Sequence, residues 1–314
     1  MGGDDMKQRA LIVAAGLAAV LAAPAAAQKI HVGCTSSADC GTAMIAVDQG
    51  IFEKHGLDVE MTRIALNSNI PPALLSRSLE IGGPTSSVFL QAVDGGLDLV
   101  ALAGASRMHE ATNEGTLAIV RDGVTIEKAQ DFVGKKVGVP GFGAYIHILF
   151  NRYLMANGVD PAQVNMVETT FPSMPDVLRM GAVDAVLSGG PTVQRILSAG
   201  YGHEGPRFIA ELGGSAPIIF YASTRDWAEA NPEAVQKFRA AIAEAAELAA
   251  TDREVVIASV AKFTEQSPDL VRATAPSKYD ATLSAEDIGW WLDLMKAQGL
   301  LQGNVDPAGV IAAD

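Results

Sequence analysis

The chain of 314 residues is acidic, because 36 Asp and Glu residues oppose 23 Lys and Arg residues and leave a net charge of −13. A surface of this sign repels nucleic acid and anionic lipid, so we expect no nucleic-acid partner. The length exceeds one typical hydrophobic core and indicates two lobes of roughly 100 to 200 residues each.

Residues 1–27 have the pattern of a cleavable secretory signal. Lys7 and Arg9 form a basic region, residues 10–22 are almost entirely apolar, and residues 25–27 are small alanines of the kind that a signal peptidase requires. The apolar run is shorter than the ~20 residues that span a bilayer. We therefore predict export to the periplasm rather than a membrane anchor.

Cleavage after Ala27 would leave Gln28 first and keep the net charge at −13, since it removes two acidic and two basic residues. No later segment is long and apolar enough to span a membrane, so we expect a soluble, monomeric protein after cleavage. The start of translation stays open between Met1 and Met6, because Met6 directly precedes the basic region.

The first part of the mature chain alternates short, β-branched apolar runs with helical patterns, which is typical of a mainly parallel sheet covered by helices. The two cysteines, Cys34 and Cys40, flank a loop that follows the first strand. The predicted strands lie at residues 29–33, 57–64, 80–82 and 97–103, and the predicted helices at residues 41–49, 71–77 and from 83–87 through 93.

In an oxidising compartment, cysteines six positions apart can form a disulfide across this loop. The alternative is two free thiols or two small buried side chains. A lipidated Cys34 is disfavoured, because Lys29 and His31 interrupt the apolar region that lipidation requires. The sequence leaves the bridge between Cys34 and Cys40 open.

The pattern then restarts as a second α/β unit, inserted into the first. Its predicted strands lie at residues 116–120, 136–139, 163–168 and 184–187, and its predicted helices at residues 145–156 and 174–180. A strand at residues 217–223 returns from this unit, and residues 231–314 are almost all helical. We assign residues 28–105 and 217–314 to lobe 1 and residues 106–216 to lobe 2.

Two such lobes enclose a cleft. In open α/β sheets, ligands bind beyond the carboxyl ends of the strands, where helix N-termini present unpaired N–H groups. Lobes of this kind close about the crossing segments, which we place near residues 103–108 and 213–219. The loops expected to form the site are residues 35–39, 67–69, 84–87, 141–145, 169–173 and 188–192.

Residues 46–59 read Ala-Val-Asp-Gln-Gly-Ile-Phe-Glu-Lys-His-Gly-Leu-Asp-Val. This segment resembles the opening motif of the periplasmic binding proteins of the nitrate, sulfonate and taurine class, and residues 74–82, 134–141 and 181–186 match further motifs of that class. The resemblance covers residues 29–260. It implies an α/β type II periplasmic-binding-protein fold, with two Rossmann-like lobes around a cleft and a helical C-terminal tail. It also implies a role in delivering a small-molecule ligand to the permease and ATPase of an ABC importer.

The candidate ligand contacts are of three kinds. Hydroxyl and amide side chains can donate hydrogen bonds, although the same residue types cap helices in any α/β protein. Glycines expose backbone N–H groups or simply serve tight turns. Aromatic rings can stack on a ligand or fill the core of a lobe. The candidates are Thr35, Ser36, Ser37, Asn67, Thr85, Ser86 and Thr192; Gly143 and Gly190; and Tyr145, Phe171 and Tyr221.

Arg107 is the best-placed cation for a sulfonate, nitrate or carboxylate ligand, unless it pairs with Glu110. With Asp39 nearby in the opposite sense, few charged side chains lie in the loops of the cleft. We therefore expect either an anionic ligand of the sulfonate or nitrate kind or a carboxylate or aromatic solute, with no cofactor and no metal.

Two other functions stay open. Pyrimidine synthases of thiamine biosynthesis resemble the chain over the same strands, so an enzyme of that kind, or a pyrimidine-binding protein, is one alternative. Those enzymes depend on an iron site rich in His and Cys, whereas the five histidines here are scattered, and no catalytic set is recognisable. The other alternative is a partner that presents its ligand to a sensor kinase.

Overall fold

The computed structural model describes residues 29–210 and 215–313, so the predicted signal segment lies outside the described residues. The strands form two separate sheets, one in each lobe. They are β1 (Ile30–Thr35), β2 (Val59–Ile64), β3 (Ile81–Gly82), β4 (Leu99–Arg107), β5 (Leu117–Arg121), β6 (Lys136–Val139), β7 (Asn165–Glu168), β8 (Ala185–Ser188), β9 (Gly202–Glu204), β10 (Pro217–Thr224) and β11 (Lys278–Tyr279).

Helices cover both sheets. They are α1 (Gly41–Asp48), α2 (Ile51–Lys54), α3 (Ile70–Leu75), α4 (Ser86–Asp94), α5 (Glu110–Glu114), α6 (Tyr145–Ala156), α7 (Met174–Arg179), α8 (Pro191–Ser198), α9 (Arg225–Ala230), α10 (Pro232–Thr251), α11 (Arg253–Thr264), α12 (Pro268–Arg272) and α13 (Ala285–Lys296). None of the helices within residues 29–210 and 215–313 has the length and apolarity to cross a membrane.

The sheet of lobe 1 has the order β11-β4-β10-β3-β1-β2. Its β1 is parallel to β2 and β3, whereas β10 is antiparallel to β3 and β4. The sheet of lobe 2 has the order β7-β6-β8-β5-β9, in which β6 is parallel to β7 and β8 while β5 is antiparallel to β8 and β9. Both sheets are therefore mixed: β10 and β11 run against the other strands of lobe 1, and β5 runs against the other strands of lobe 2.

The two crossings lie side by side, because β4 leads out of lobe 1 and β10 leads back while pairing with it from Pro217 to Thr224. All nine residues of β4 are buried, and the strand continues to Arg107 rather than ending at Ala103. The predicted lobe boundary after residue 105 thus falls inside β4. Of the second predicted crossing, residues 213–214 lie outside the described residues.

The C-terminal helices complete lobe 1 rather than forming a separate unit. Phe238 of α10 stacks on Phe52 of α2, with 5.5 Å between ring centroids. Trp291 of α13 is fully buried, and its indole N–H donates to the carbonyl oxygen of Pro217 at 2.7 Å. Burial of aromatic rings of this size contributes several kcal/mol. The tail therefore holds the start of β10, and with it one of the crossings, in place.

Candidate functional site

A cavity of about 390 Å³ lies between the two lobes. Lobe 1 contributes the loop after β1 and the segment before β11, and lobe 2 contributes the start of β5, the start of α6 and the start of α8. Its walls are residues 36–39, 111–112, 114–117, 145–146, 171, 189–194, 204, 207, 274–275 and 277.

Six of the thirteen predicted contacts line this cavity. They are Ser36, Ser37, Tyr145, Phe171, Gly190 and Thr192. The residues come from loops after parallel strands or from helix N-termini, the positions at which an α/β sheet presents polar groups to a ligand. Hydroxyls, glycine backbone and two aromatic rings therefore face the same space from opposite lobes.

The lobe 1 wall is a loop closed by a disulfide between Cys34 and Cys40. Both cysteines are buried, and a Cβ on Gly83 would lie only 2.5 Å from Sγ of Cys40 and 2.8 Å from Sγ of Cys34. The bridge therefore packs against the chain after β3 and ties the end of β1 to the start of α1. Closing a loop of this length removes conformations from the unfolded chain and fixes the cavity wall.

Asp39 lies on this loop and lines the cavity. Its carboxylate accepts hydrogen bonds from the hydroxyls of Ser37 at 2.9 Å and Ser106 at 3.5 Å. Burial raises the pKa of Asp39, and these two hydrogen bonds oppose that rise. Across the cavity, burial raises the pKa of Tyr145, and the nearby Asp39 charge raises it further. The tyrosine is therefore a neutral phenol that faces a carboxylate.

Three other predicted residues, Asn67, Thr85 and Gly143, lie around the start of α4, where a second contact joins the lobes. The Asn67 side-chain oxygen accepts from the backbone N–H and the hydroxyl of Thr85, at 2.9 and 3.2 Å. From the same helix start, Ser87 donates to the carbonyl oxygen of Gly143 at 2.7 Å, and Gln91 donates to it at 3.2 Å. The bonds between Asn67 and Thr85 lie within lobe 1, whereas the bonds from Ser87 and Gln91 to Gly143 join the two lobes. None of Asn67, Thr85 and Gly143 lines the cavity.

The loop at residues 141–145 was expected to form part of the site, but the backbone N–H groups of residues 142–144 already have hydrogen-bond partners within lobe 2. Phe142 donates its backbone N–H to the Glu168 carboxylate at 2.8 Å, and Gly143 donates to Nδ1 of His147 at 3.0 Å. Ala144 donates back to Gly141 at 3.3 Å. Burial lowers the pKa of His147 to about 4, so its ring is neutral and can accept this bond.

Arg107 does not face the cavity, which corrects the expectation of a ligand-binding cation. Its guanidinium binds both carboxylate oxygens of Asp287, at 2.7 and 2.8 Å, and contacts Asp280 at 2.9 Å. Its side chain is 10% exposed, and its pKa is raised chiefly by the hydrogen bond to Asp287. Arg107 therefore joins β4 to the start of α13, and Glu110 is not its partner.

The remaining predicted contacts serve lobe 1. Ser86 donates its hydroxyl to the carbonyl oxygen of Pro217 at 2.8 Å, and Thr35 is buried at the end of β1. The Tyr221 hydroxyl is 2.8 Å from that of Thr42 and accepts from the backbone N–H of Ala43 at 3.0 Å. Tyr221 is therefore part of the lobe core.

Several cavity residues were not among the sequence candidates. Thr116 precedes β5, and β5 pairs antiparallel with β8, so the beginning of β5 lies beside the end of β8. The sequence-based prediction of the site included only loops that follow strands. The N-terminal end of an antiparallel strand such as β5 lies at the same edge of the sheet as those loops. Thr274 and Ser277 lie in the tail, which the helical pattern had appeared to fill. Glu204 ends β9 and Arg207 follows it, and this strand was not predicted.

In the described part of the chain, no three His, Cys, Asp or Glu side chains lie close enough together to hold a metal ion. The site therefore consists of neutral hydrogen-bonding groups, aromatic rings and a few charged side chains between two lobes. Fold and cavity together define a two-lobed α/β protein with a cleft between its lobes.

The chain belongs to the NMT1/THI5-like family, whose model matches residues 38–256. It is 25% identical over 214 residues to the taurine-binding periplasmic protein of Escherichia coli (strain K12), a match that covers 68% of this chain and 64% of that protein. The chain thus spans just under two thirds of the length of that relative.

Solved structures agree on the fold. The alkanesulfonate-binding protein from Xanthomonas axonopodis pv. citri bound to MOPS superposes with a TM-score of 0.76 at 20% identity, covering 92% of this chain and 99% of that chain. The periplasmic nitrate-binding protein from Synechocystis PCC 6803 gives 0.74 at 15% identity, covering 90% and 84%. The predicted type II periplasmic-binding-protein fold is confirmed, and these relatives are binding proteins rather than enzymes.

Proposed function

We propose that this protein is the solute-binding component of an ABC importer, located in the periplasm, where it captures a small organic solute between its lobes and delivers it to a membrane permease. The observation that carries the proposal is the cavity of about 390 Å³ with walls from both lobes. A site of this size suits a small molecule whose burial requires lobe closure.

The chemistry of the walls supports an organic solute with a polar head. Ser36, Ser37 and Thr192 supply hydroxyls, and the backbone at Gly190 begins α8 with a positive φ of 61°. Tyr145 and Phe171 supply aromatic faces for an apolar or planar part of the ligand. The named relatives bind taurine and an alkanesulfonate, which supports a sulfonate or carboxylate among the candidate solutes.

The geometry of the two crossings supports a role in transport. Because β4 and β10 pair side by side, rotation of lobe 2 about their ends opens or closes the cavity without disturbing either sheet. A ligand that contacts both lobes binds the closed form better and shifts the population toward it. The permease then distinguishes the loaded receptor by the closed arrangement of its two lobe surfaces.

The test is a thermal-shift screen of the protein beginning at residue 28 against sulfonates, nitrate, bicarbonate, amino acids, aromatic acids and thiamine-precursor pyrimidines. A solute present at 100 times its Kd stabilises the folded state by about 2.7 kcal/mol, which raises the melting temperature by several degrees. Calorimetry would then give the Kd. Absence of stabilisation by every solute would overturn the proposal, and stoichiometric iron with pyrimidine product would favour the enzyme instead.

A further inference from the structure

Asp39 differs from the other partly buried carboxylates of lobe 1 in its surroundings. Asp280 and Asp287 share the guanidinium of Arg107, and Asp48 is 2.6 Å from Nζ of Lys262. Within residues 29–210 and 215–313, no Lys, Arg or His forms an ion pair with Asp39, which has only the hydroxyls of Ser37 and Ser106 as hydrogen-bond donors.

The charged form of the Asp39 carboxylate is energetically unfavourable at this position, because it is partly removed from water and has no counter-ion. A charged group removed from water loses hydration that two hydroxyl donors replace only in part, so an opposite charge brought to it gains more than it would in solvent. The raised pKa of Asp39 has burial as its largest cause, and its charge also raises the pKa of Tyr145 and Tyr279. The negative charge of Asp39 therefore affects neighbouring side chains and is not neutralised by a counter-ion.

The rest of the cavity wall does not supply that counter-ion. Arg207 is the single cation among the described residues that line the cavity, and it lies at the rim with its side chain 39% exposed. Arg207 forms ion pairs with Glu204 at 2.6 Å and with Glu114 at 3.8 Å, so its positive charge is already balanced by these two carboxylates. The walls thus carry three carboxylates against one guanidinium, which disfavours a simple inorganic anion.

We propose that Asp39 is a specificity-determining residue that binds a cationic nitrogen group of the ligand, so that the solute is an ammonium- or guanidinium-bearing organic molecule. This inference rests on the proposed function, because it assigns the ligand of the same cavity. The cationic group lies against the loop after β1, and the hydroxyls and aromatic rings contributed by both lobes contact the remainder of the ligand.

The melting temperature of the ligand-free protein distinguishes a ligand-binding role of Asp39 from a purely structural role. Asp39 precedes α1 by two residues, where a negative charge would stabilise the helix N-terminus. In that case Asp39→Asn lowers the melting temperature. If the carboxylate instead awaits a cation, Asp39→Asn keeps the shape, removes an uncompensated charge and raises the melting temperature of the ligand-free protein.

The binding test uses matched pairs of probes that differ in one group: taurine and isethionate, β-alanine and 3-hydroxypropionate, and phenethylamine and 2-phenylethanol. Calorimetry of the wild-type protein should show that the amine of a binding pair binds about tenfold or more tightly than its hydroxyl analogue, a difference of about 1.4 kcal/mol. Asp39→Asn should abolish that preference. The control Glu114→Gln removes a charge from the exposed rim of the same cavity and should preserve it.

Equal affinities within the pairs, tighter binding of the hydroxyl members, or a preference that survives Asp39→Asn would overturn the inference while leaving a solute-binding function intact. A lowered melting temperature of ligand-free Asp39→Asn would assign the carboxylate to α1 and also overturn it. Absence of binding by every probe and by every solute of the broader screen would contradict the proposed function itself, and the inference with it.

Discussion

The disulfide between Cys34 and Cys40 should contribute measurably to the stability of lobe 1. The bridge joins residues six positions apart. Loop-closure entropy for such a ring amounts to about 2 kcal/mol at 25 °C. Because both cysteines are buried, the bridge is best removed by unfolding and refolding in dithiothreitol or by the double change Cys34→Ser with Cys40→Ser.

Urea unfolding followed by circular dichroism measures this contribution. With an m-value of about 3 kcal/mol per molar, reduction should lower the midpoint by roughly 0.7 M. The double serine variant should have the lowered midpoint with or without dithiothreitol, which controls for effects of the reductant on the rest of the chain. A midpoint that moves by less than about 0.2 M on reduction would refute the entropic account.

Three other outcomes follow from the contacts described. Burial lowers the pKa of His147 from 6.5 to about 4, so the unfolded chain binds a proton at a higher pH than the folded protein does. The free energy of unfolding should therefore be at its full value above about pH 6.5 and about 2 kcal/mol lower at pH 5, measured by urea titrations. His147→Gln should remove this pH dependence. Arg107→Met leaves two carboxylates without their guanidinium and should cost about 3 kcal/mol in the same assay, while ligand affinity of the folded variant stays within about twofold. Gly143→Ala places a Cβ 2.7 Å from Oε1 at the flexible end of Gln91, so this side chain should turn away and lose its hydrogen bond to the Gly143 carbonyl oxygen. We expect this variant to be about 1 kcal/mol less stable in the same assay than Gly158→Ala, which has a similar positive φ and open space, and equal stability of the two would contradict this reasoning.

The local sequence pattern was sufficient to predict the strands and helices whose tertiary contacts favour the same secondary structure. The predicted strand at residues 136–139 and the predicted helix at residues 145–156 coincide with Lys136–Val139 and Tyr145–Ala156. Strand β4 was cut short, because Gly104, Ala105 and Ser106 resemble a loop. The structure explains the small residues: a Cβ on Gly104 would lie 2.4 Å from the backbone oxygens of residues 280 and 282. Close approach of a distant segment cannot be read from the strand itself.

The position of the cavity was predictable from the sequence, but its lining residues were predictable only in part. Loops at strand ends and helix starts do line the cavity, and Ser36, Ser37 and Tyr145 are among the predicted residues that lie there. The role of Arg107 was not predictable, because its partner Asp287 is separated from it by 180 positions in the chain. The sequence indicated only that Asp39 lies near the cleft with a charge opposite to that of Arg107. Its lack of a counter-ion could not be predicted, because that depends on where both lobes place their cations.

The most direct test of the account is a crystal structure of the protein with the solute that gives the largest thermal shift. We expect this solute to occupy the cavity between the lobes, in contact with Asp39 and Ser37 from lobe 1 and with Tyr145 and Gly190 from lobe 2. A solute bound elsewhere on the protein, with the interlobe cavity unoccupied, would contradict it.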